Sequence, residues 1–270
     1  MSLAETPRLR ATFTGIRWPR GLSRWISPLT LLVIWEIGGR TGFIPARILA
    51  APSTVLTTFL ELVTSGQLGG HLLVSLGRVA AGLSLGVLAG STLALSAGLS
   101  RWGEAAIDPP IQMLRTLPSL ALTPLFIVWF GIGETPKIAL IALAVSFPVY
   151  LNLFNGVRAV DPKLVEAARS FGLTQAELVR DVILPAALPA FLLGLRFALS
   201  VAWLVLVVAE QINASAGLGY LINSARDFLR TDVIVVCLLI YASLGLGADG
   251  LVRAIEARAL AWRPSFIRSA

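Results

Sequence analysis

Six apolar stretches recur along the chain, near residues 25–44, 76–98, 109–130, 137–157, 190–211 and 233–254. Each is long enough to cross a hydrocarbon core of about 30 Å, which takes about 20 residues of helix rising 1.5 Å apiece. The runs are continuous and do not alternate with period two, so the spans are helices and not the strands of a barrel. The expected fold is therefore all-α: a polytopic membrane helix bundle of about six transmembrane helices. A composition of 56% apolar and 14% charged residues, with mean hydropathy +0.81, lies well beyond an ordinary soluble domain.

The net charge of +7 invites a nucleic-acid reading, but the basic residues are sorted by topology. With the N-terminus cytoplasmic, fourteen of them, from Arg8 to Arg268, fall inside, and five (Arg40, Arg47, Lys137, Arg226 and Arg230) fall outside. Arg78, Arg115 and Arg196 sit within apolar segments. This pattern predicts cytoplasmic termini and a lipid bilayer as the basic residues' partner, with no nucleic acid. Residues 1–24 form a cytoplasmic N-terminal segment and 25–270 a single membrane domain. The basic leader is long and Ile26–Ile37 lacks a small-residue cleavage site at its end, so the first apolar stretch is expected to stay as a membrane helix.

Between the fourth and fifth stretches, residues 158–189 form a polar helix-turn-helix on the cytoplasmic side. Asp161 is placed as N-cap with Pro162 at the first helical position, and Gly172 is placed to end the helix. Thr174 restarts the chain, and Glu177 three residues later completes a capping box.

Material for catalysis is scarce. A phosphate-binding loop needs Gly-x-x-x-x-Gly-Lys followed by Ser or Thr, and the two lysines, Lys137 and Lys163, each follow a proline instead. With His71 and Cys237 each alone in their type, no metal-ligand cluster, disulfide or nucleophile-base pair can be assembled from them, and Cys237 reads as a buried inert thiol. An enzyme is not expected, nor any cofactor in this chain.

Within the second stretch Gly82, Gly86, Gly90, Ala94 and Gly98 stand four residues apart, a stripe along which another helix can approach closely, within the subunit or across a dimer. Asp108-Pro109-Pro110 reads as the capped start of the third span, with bends at Pro118 and Pro124. Arg115 and Arg196 are each six residues into their spans, about 9 Å from the cytoplasmic end. Doubled in a dimer they would give a ring of four positive charges on an anion path; the alternative is snorkelling or pairing with a structural carboxylate. Glu210, closing the fifth span, is placed either for docking or gating at the outer face, or for capping the helix end or bonding a neighbouring loop.

The run Glu166-Ala167-Ala168, three residues, Gly172 and a hydrophobic step into Leu184-Pro185 resembles the cytoplasmic coupling loop of ABC importer permeases. Other segments extend the likeness over nearly the whole chain: Ser100-Arg101-Trp102-Gly103-Glu104, Trp129-Phe130-Gly131-Ile132-Gly133-Glu134, Ala209-Glu210 and Gly217-Leu218-Gly219-Tyr220-Leu221. They are similar to the nitrate, sulfonate and taurine branch, nearest to aliphatic sulfonate permeases. The resemblance implies a type I importer permease in a bacterial inner membrane, working as a homodimer. It also implies two copies of a separate ATPase that bind ATP and Mg, and an extracytoplasmic substrate-binding protein. On this reading Ala167 and Ala168 seat a coupling helix in a groove on the ATPase, Glu166 adds a polar contact, and Gly172 permits the turn. Two competitors remain: a secondary transporter driven by an ion gradient, against which the lack of a convincing internal repeat counts, and a membrane scaffold that docks a cytoplasmic partner.

Overall fold

A computed structural model describes residues 23–262 apart from Asn213; the rest of the N-terminal segment, and Arg263 and Arg268, lie outside the described residues. The described chain is helical, with no strand. Helix α1 (Ser23–Arg40) leads to α2 (Pro52–Thr64), whose N-cap, Ala51, has no side chain able to cap. Glu36 does that work from α1, accepting the Ser53 N–H at 2.9 Å while pairing with Arg40. Gly66, at φ +74°, makes the turn into α3 (Gln67–Gly98). The second span therefore starts nine residues earlier than its expected 76, because Gly69 and Gly70 continue the helix instead of ending α2's turn.

The third span departs most from expectation. Helix α4 (Arg101–Leu114) begins at Ser100, whose side chain accepts the Gly103 N–H at 3.3 Å, so Asp108 is not an N-cap and Pro109 and Pro110 lie inside the helix. The Asp108 carboxylate instead accepts the Tyr150 hydroxyl and the Gln112 amide, both at 3.0 Å. After Leu114 the chain breaks, forms a 3₁₀ turn at Ser119–Leu122 and resumes as α5 (Thr123–Phe130), bent by 88° from α4. The bend falls at Arg115–Pro118, where Pro118 is extended at φ −61° and ψ 113°. Pro124 produces no bend because it sits in the first turn of α5, where its missing N–H has no helical partner to lose.

Helix α6 (Glu134–Arg158) runs back toward the polar hairpin, which consists of α7 (Pro162–Ser170) and α8 (Gln175–Glu177). A π-helical stretch, Leu178–Ile183, then joins α8 directly to α9 (Leu184–Gln211), followed by α10 (Leu218–Asp227) and α11 (Thr231–Ala259). Pro185 lies in the first turn of α9, where its missing N–H has no helical partner to lose. Four helical segments are long and apolar enough to cross a membrane (67–98, 134–158, 175–211 and 231–259), and the bent α4–α5 pair brings the number to five among the described residues. α1 is an 18-residue helix that includes Arg24, Glu36 and Arg40, and it exposes Leu29, Leu31, Val33 and Ile34.

The centre of the bundle is α6, held between α3 and α9. A Cβ added to Gly86 would lie 2.5 Å from the Ala142 carbonyl oxygen, and one on Gly90 2.6 Å from that of Ser146. Gly82 meets Ile141 and Gly98 meets Val157 in the same way. On the other side of α6, Gly194 packs on Asn152 and Pro148, and Gly156 on Ala190. The glycine stripe is thus a contact within the chain, where backbone approaches backbone because lipid supplies no hydrophobic drive and packing must hold helices together.

Candidate functional site

Two polar features lie at opposite ends of this three-helix centre: the hairpin beyond the end of α6, and an ionic cluster at its start.

In the hairpin, Asp161 accepts the Lys163 N–H at 2.9 Å with Pro162 at the first helical position. Gly172, at φ +83°, closes α7: its N–H reaches the Arg169 carbonyl at 2.9 Å and the Leu173 N–H reaches that of Ala168 at 3.2 Å, the pair of bonds of a Schellman ending. Thr174 and Glu177 form both halves of a capping box, with the Thr174 N–H donating to Glu177 at 2.7 Å. Replacing Thr174 by alanine is expected to cost about 1 kcal/mol of local stability. Hydrogen exchange should show it as faster exchange confined to 174–183.

Ala168 is buried, packed with Leu153, Val157, Leu178, Ile183 and Ala187 in a core that welds the hairpin to the bundle. This corrects the expectation that Ala167 and Ala168 both face a partner: Ala167 is exposed, and Ala168 anchors the helix from behind. Glu166 is exposed. The free face of α7 also carries two side chains that the sequence reading did not single out, Leu164 and Phe171, the latter 85% exposed. Together with Ala167 they follow the i, i+3, i+7 spacing of one helix face, a signal that was legible in the sequence. Arg158, where α6 enters the hairpin, pairs with Glu104 of α4.

At the other end, Glu210 is 1% exposed and accepts four donors from three helices. Ser75 Oγ lies 2.7 Å away, Arg78 Nη1 2.6 Å, the Gly219 N–H 2.8 Å and the Tyr241 hydroxyl 3.2 Å. Arg78 is also buried; its Nε and Nη2 donate to the two oxygens of Glu134, and its Nη1 also reaches the Ala216 carbonyl. Lys137 donates to Glu134 at 3.3 Å and to the Gly133 carbonyl at 2.9 Å. It is buried within this cluster.

The cluster explains how α10 begins without a capping side chain at Gly217. Three successive backbone donors are satisfied from elsewhere: Gly217 by His71 Nδ1 at 3.1 Å, Leu218 by Ser75 Oγ at 2.9 Å and Gly219 by Glu210. Glu210 thus bonds neighbouring helices and, through Gly219, holds the start of α10. Arg78, Glu134 and Ser75 were not named as site residues from sequence. The available signal was charge: an arginine inside an apolar span needs a partner, and Glu210 and Glu134 are at hand in the apolar chain.

Arg115 and Arg196 are not brought together. Arg115 is exposed at the end of α4, whereas Arg196 pairs with Asp249 of α11 at 2.5 Å, and Asp249 also holds Arg253. Pairing with a structural carboxylate, the alternative to an anion path, is what Arg196 does. Cys237 is a free, fully buried thiol.

Residues 82–260 match the family model described as binding-protein-dependent transport system inner membrane component. The aliphatic sulfonates transport permease protein SsuC of Escherichia coli (strain K12) is 46% identical, over 93% of this chain and 95% of the relative. SsuC of Bacillus subtilis (strain 168) is 46% identical over 97% and 94%, and the taurine transport system permease protein TauC of Escherichia coli (strain K12) 36% identical over 97% and 98%. Among solved structures, an amino acid ABC transporter with histidines superposes with a TM-score of 0.61 at 25% identity, covering 74% of this chain and 98% of its own. The MetNI methionine ABC transporter in an inward-facing form gives 0.53 at 18% identity, over 72% and 98%, a likeness of fold. The likeness to importer permeases thus holds in sequence and in fold, and the chain belongs to the binding-protein-dependent transport system inner membrane components, on the branch that includes the sulfonate and taurine permeases.

Proposed function

We propose that the chain is the membrane-spanning subunit of an ATP-driven importer for an aliphatic sulfonate or a closely related small organic anion. It works as a homodimer with a separate ATPase that binds ATP and Mg, and with an extracytoplasmic binding protein that delivers the substrate. Both termini and the 158–189 loop face the cytoplasm, with α1 as a sixth crossing. The names of the relatives support the substrate class, and the charge sorting supports the orientation.

The observation that carries the coupling role is the exposed face of α7. Leu164 and Phe171 are apolar side chains presented to water on a helix whose back, at Ala168, is locked into the bundle core. An apolar knob on a rigid mount fits a groove on another protein and can pass that protein's movement to the spans. Shifting a two-state bundle from 1:99 to 99:1 takes about 5.5 kcal/mol of differential interaction, a bias that two symmetry-related α7 contacts can share.

Gly172 tests the coupling. Its left-handed backbone is unfavourable for a β-branched residue, while a Cβ there would meet nothing within 4 Å. Gly172→Val should therefore redirect the turn without crowding, leaving membrane insertion intact and ATP hydrolysis largely uncoupled from uptake. Gly172→Asn, which tolerates that conformation, should keep most coupled transport. Full coupled uptake by the valine variant would remove the assigned role.

For the function as a whole, the chain is reconstituted in proteoliposomes with its partner ATPase and binding protein, and uptake of radiolabelled ethanesulfonate is measured. Uptake that requires ATP and all three components is the expected result. Uptake by the chain alone that collapses with an ionophore would establish the ion-driven transporter instead, and partner binding with no flux of any tested anion would establish the scaffold.

A further inference from the structure

We infer that Arg78 and Lys137 form a binding site for the anionic head group of the substrate, and that Glu134 occupies this site when the substrate is absent. The inference rests on the importer reading and deepens it, since it assigns a site within the permease itself.

The two carboxylates of the cluster are held very differently. Glu210 is enclosed and tied to a serine, a tyrosine, a backbone N–H and Arg78, so it is a fixed part of the bundle. The Glu134 side chain is 53% exposed, and its hydrogen bonds are to the cations Arg78 and Lys137. It is the opening of the cluster to the exterior. If Glu134 leaves, two buried cations face one buried carboxylate, and the surplus positive charge in a poorly solvated site calls for an anion.

The donors suit a sulfonate or another oxyanion. Arg78 offers Nε and Nη2 side by side to two oxygens, the planar fork that recognises carboxylates and related oxyanions bidentately. Lys137 supplies a further donor to one of the same oxygens from the adjoining turn of α6. A sulfonate presents three oxygens, enough for both partners at once.

Glu134 is also placed to move. It is the first residue of α6 and follows Gly131, at φ +75°, and Gly133, at φ +159°; neither has an atom within 4 Å of where a Cβ would be. Rotation in this short segment displaces Glu134 without breaking the helix. In the present state the adjoining cavity, lined by Thr123, Ile132, Pro136, Lys137 and Ala209, has a volume of about 10 Å³, room for about one water. An anion therefore gains the site by exchange with the carboxylate. The cluster lies at the end of the bundle opposite the hairpin, where an importer receives its substrate.

The test uses the permease–ATPase complex in nanodiscs, without binding protein, and measures ethanesulfonate binding by equilibrium dialysis. Glu134→Gln and Glu134→Ala should each bind at least tenfold more tightly than the wild type. Lys137→Gln added to Glu134→Gln should abolish most of that gain, and neutral ethanesulfonamide should gain nothing. Absence of any gain in variants that retain ATPase activity would overturn the site, as would an equal gain for the sulfonamide. Failure of the importer reading shows separately, as absence of ATP-dependent uptake by the wild-type system.

Discussion

Glu210→Ala is expected to destabilise the protein by about 3–5 kcal/mol, because it removes the fully buried carboxylate partner of a buried arginine and leaves only the half-exposed Glu134 to balance it. Arg78 is 3% exposed, so water cannot replace the lost partner. The same substitution strips acceptors from Ser75, Tyr241 and the Gly219 N–H, and so loosens the start of α10. Thermal unfolding of the detergent-purified protein reads the loss, and hydrogen exchange should locate it at 214–222. The double substitution Arg78→Met with Glu210→Leu removes both charges and should recover a large part of the stability, as an apolar pair of similar volume commonly does. If Glu210→Ala alone proved as stable as wild type, the cluster would not be the structural lock described.

The second large effect is in the α3–α6 contact. Gly86→Val places a Cβ 2.5 Å from the Ala142 carbonyl oxygen, a backbone atom that moves only if the helices separate. Overpacking of this kind costs about 1–3 kcal/mol, and here it propagates along the contact because Gly82 and Gly90 depend on the same spacing. Gly77→Ala on the same helix is the control, since its Cβ meets no atom within 4 Å. It should be neutral or stabilise by up to about 1 kcal/mol through helix propensity alone. Opposite outcomes for two glycines about two and a half turns apart would show that the stripe acts by close approach; equal outcomes would refute that.

The contrast between those two positions shows what a sequence carries and what it omits. Period-four glycines announced a close helix contact but not the partner, since the same pattern serves contacts within a chain and between chains. The capping signals of the hairpin were legible because they are local: Asp161-Pro162, Gly172 and the Thr174–Glu177 box depend on neighbours within a few residues. Asp108-Pro109 misled for the opposite reason: the local pattern is that of a cap, yet Tyr150, forty-two residues on, claims the carboxylate.

The sequence by itself determined the solvent. Apolar run length requires a bilayer, charge sorting sets the orientation expected of the chain, and the two lysines, each following a proline, supply no phosphate-binding loop. Each of these follows from sums or short patterns along the chain. Tertiary structure alone decided which charges meet. Arg78 and Glu210 are 132 residues apart, and Arg196 and Asp249 are 53 apart. A buried charge fixes only that some partner must exist; the partner's identity depends on which helix ends the fold brings within 3 Å, because at low dielectric an unpaired charge is too costly to leave and a paired one is indifferent to sequence distance.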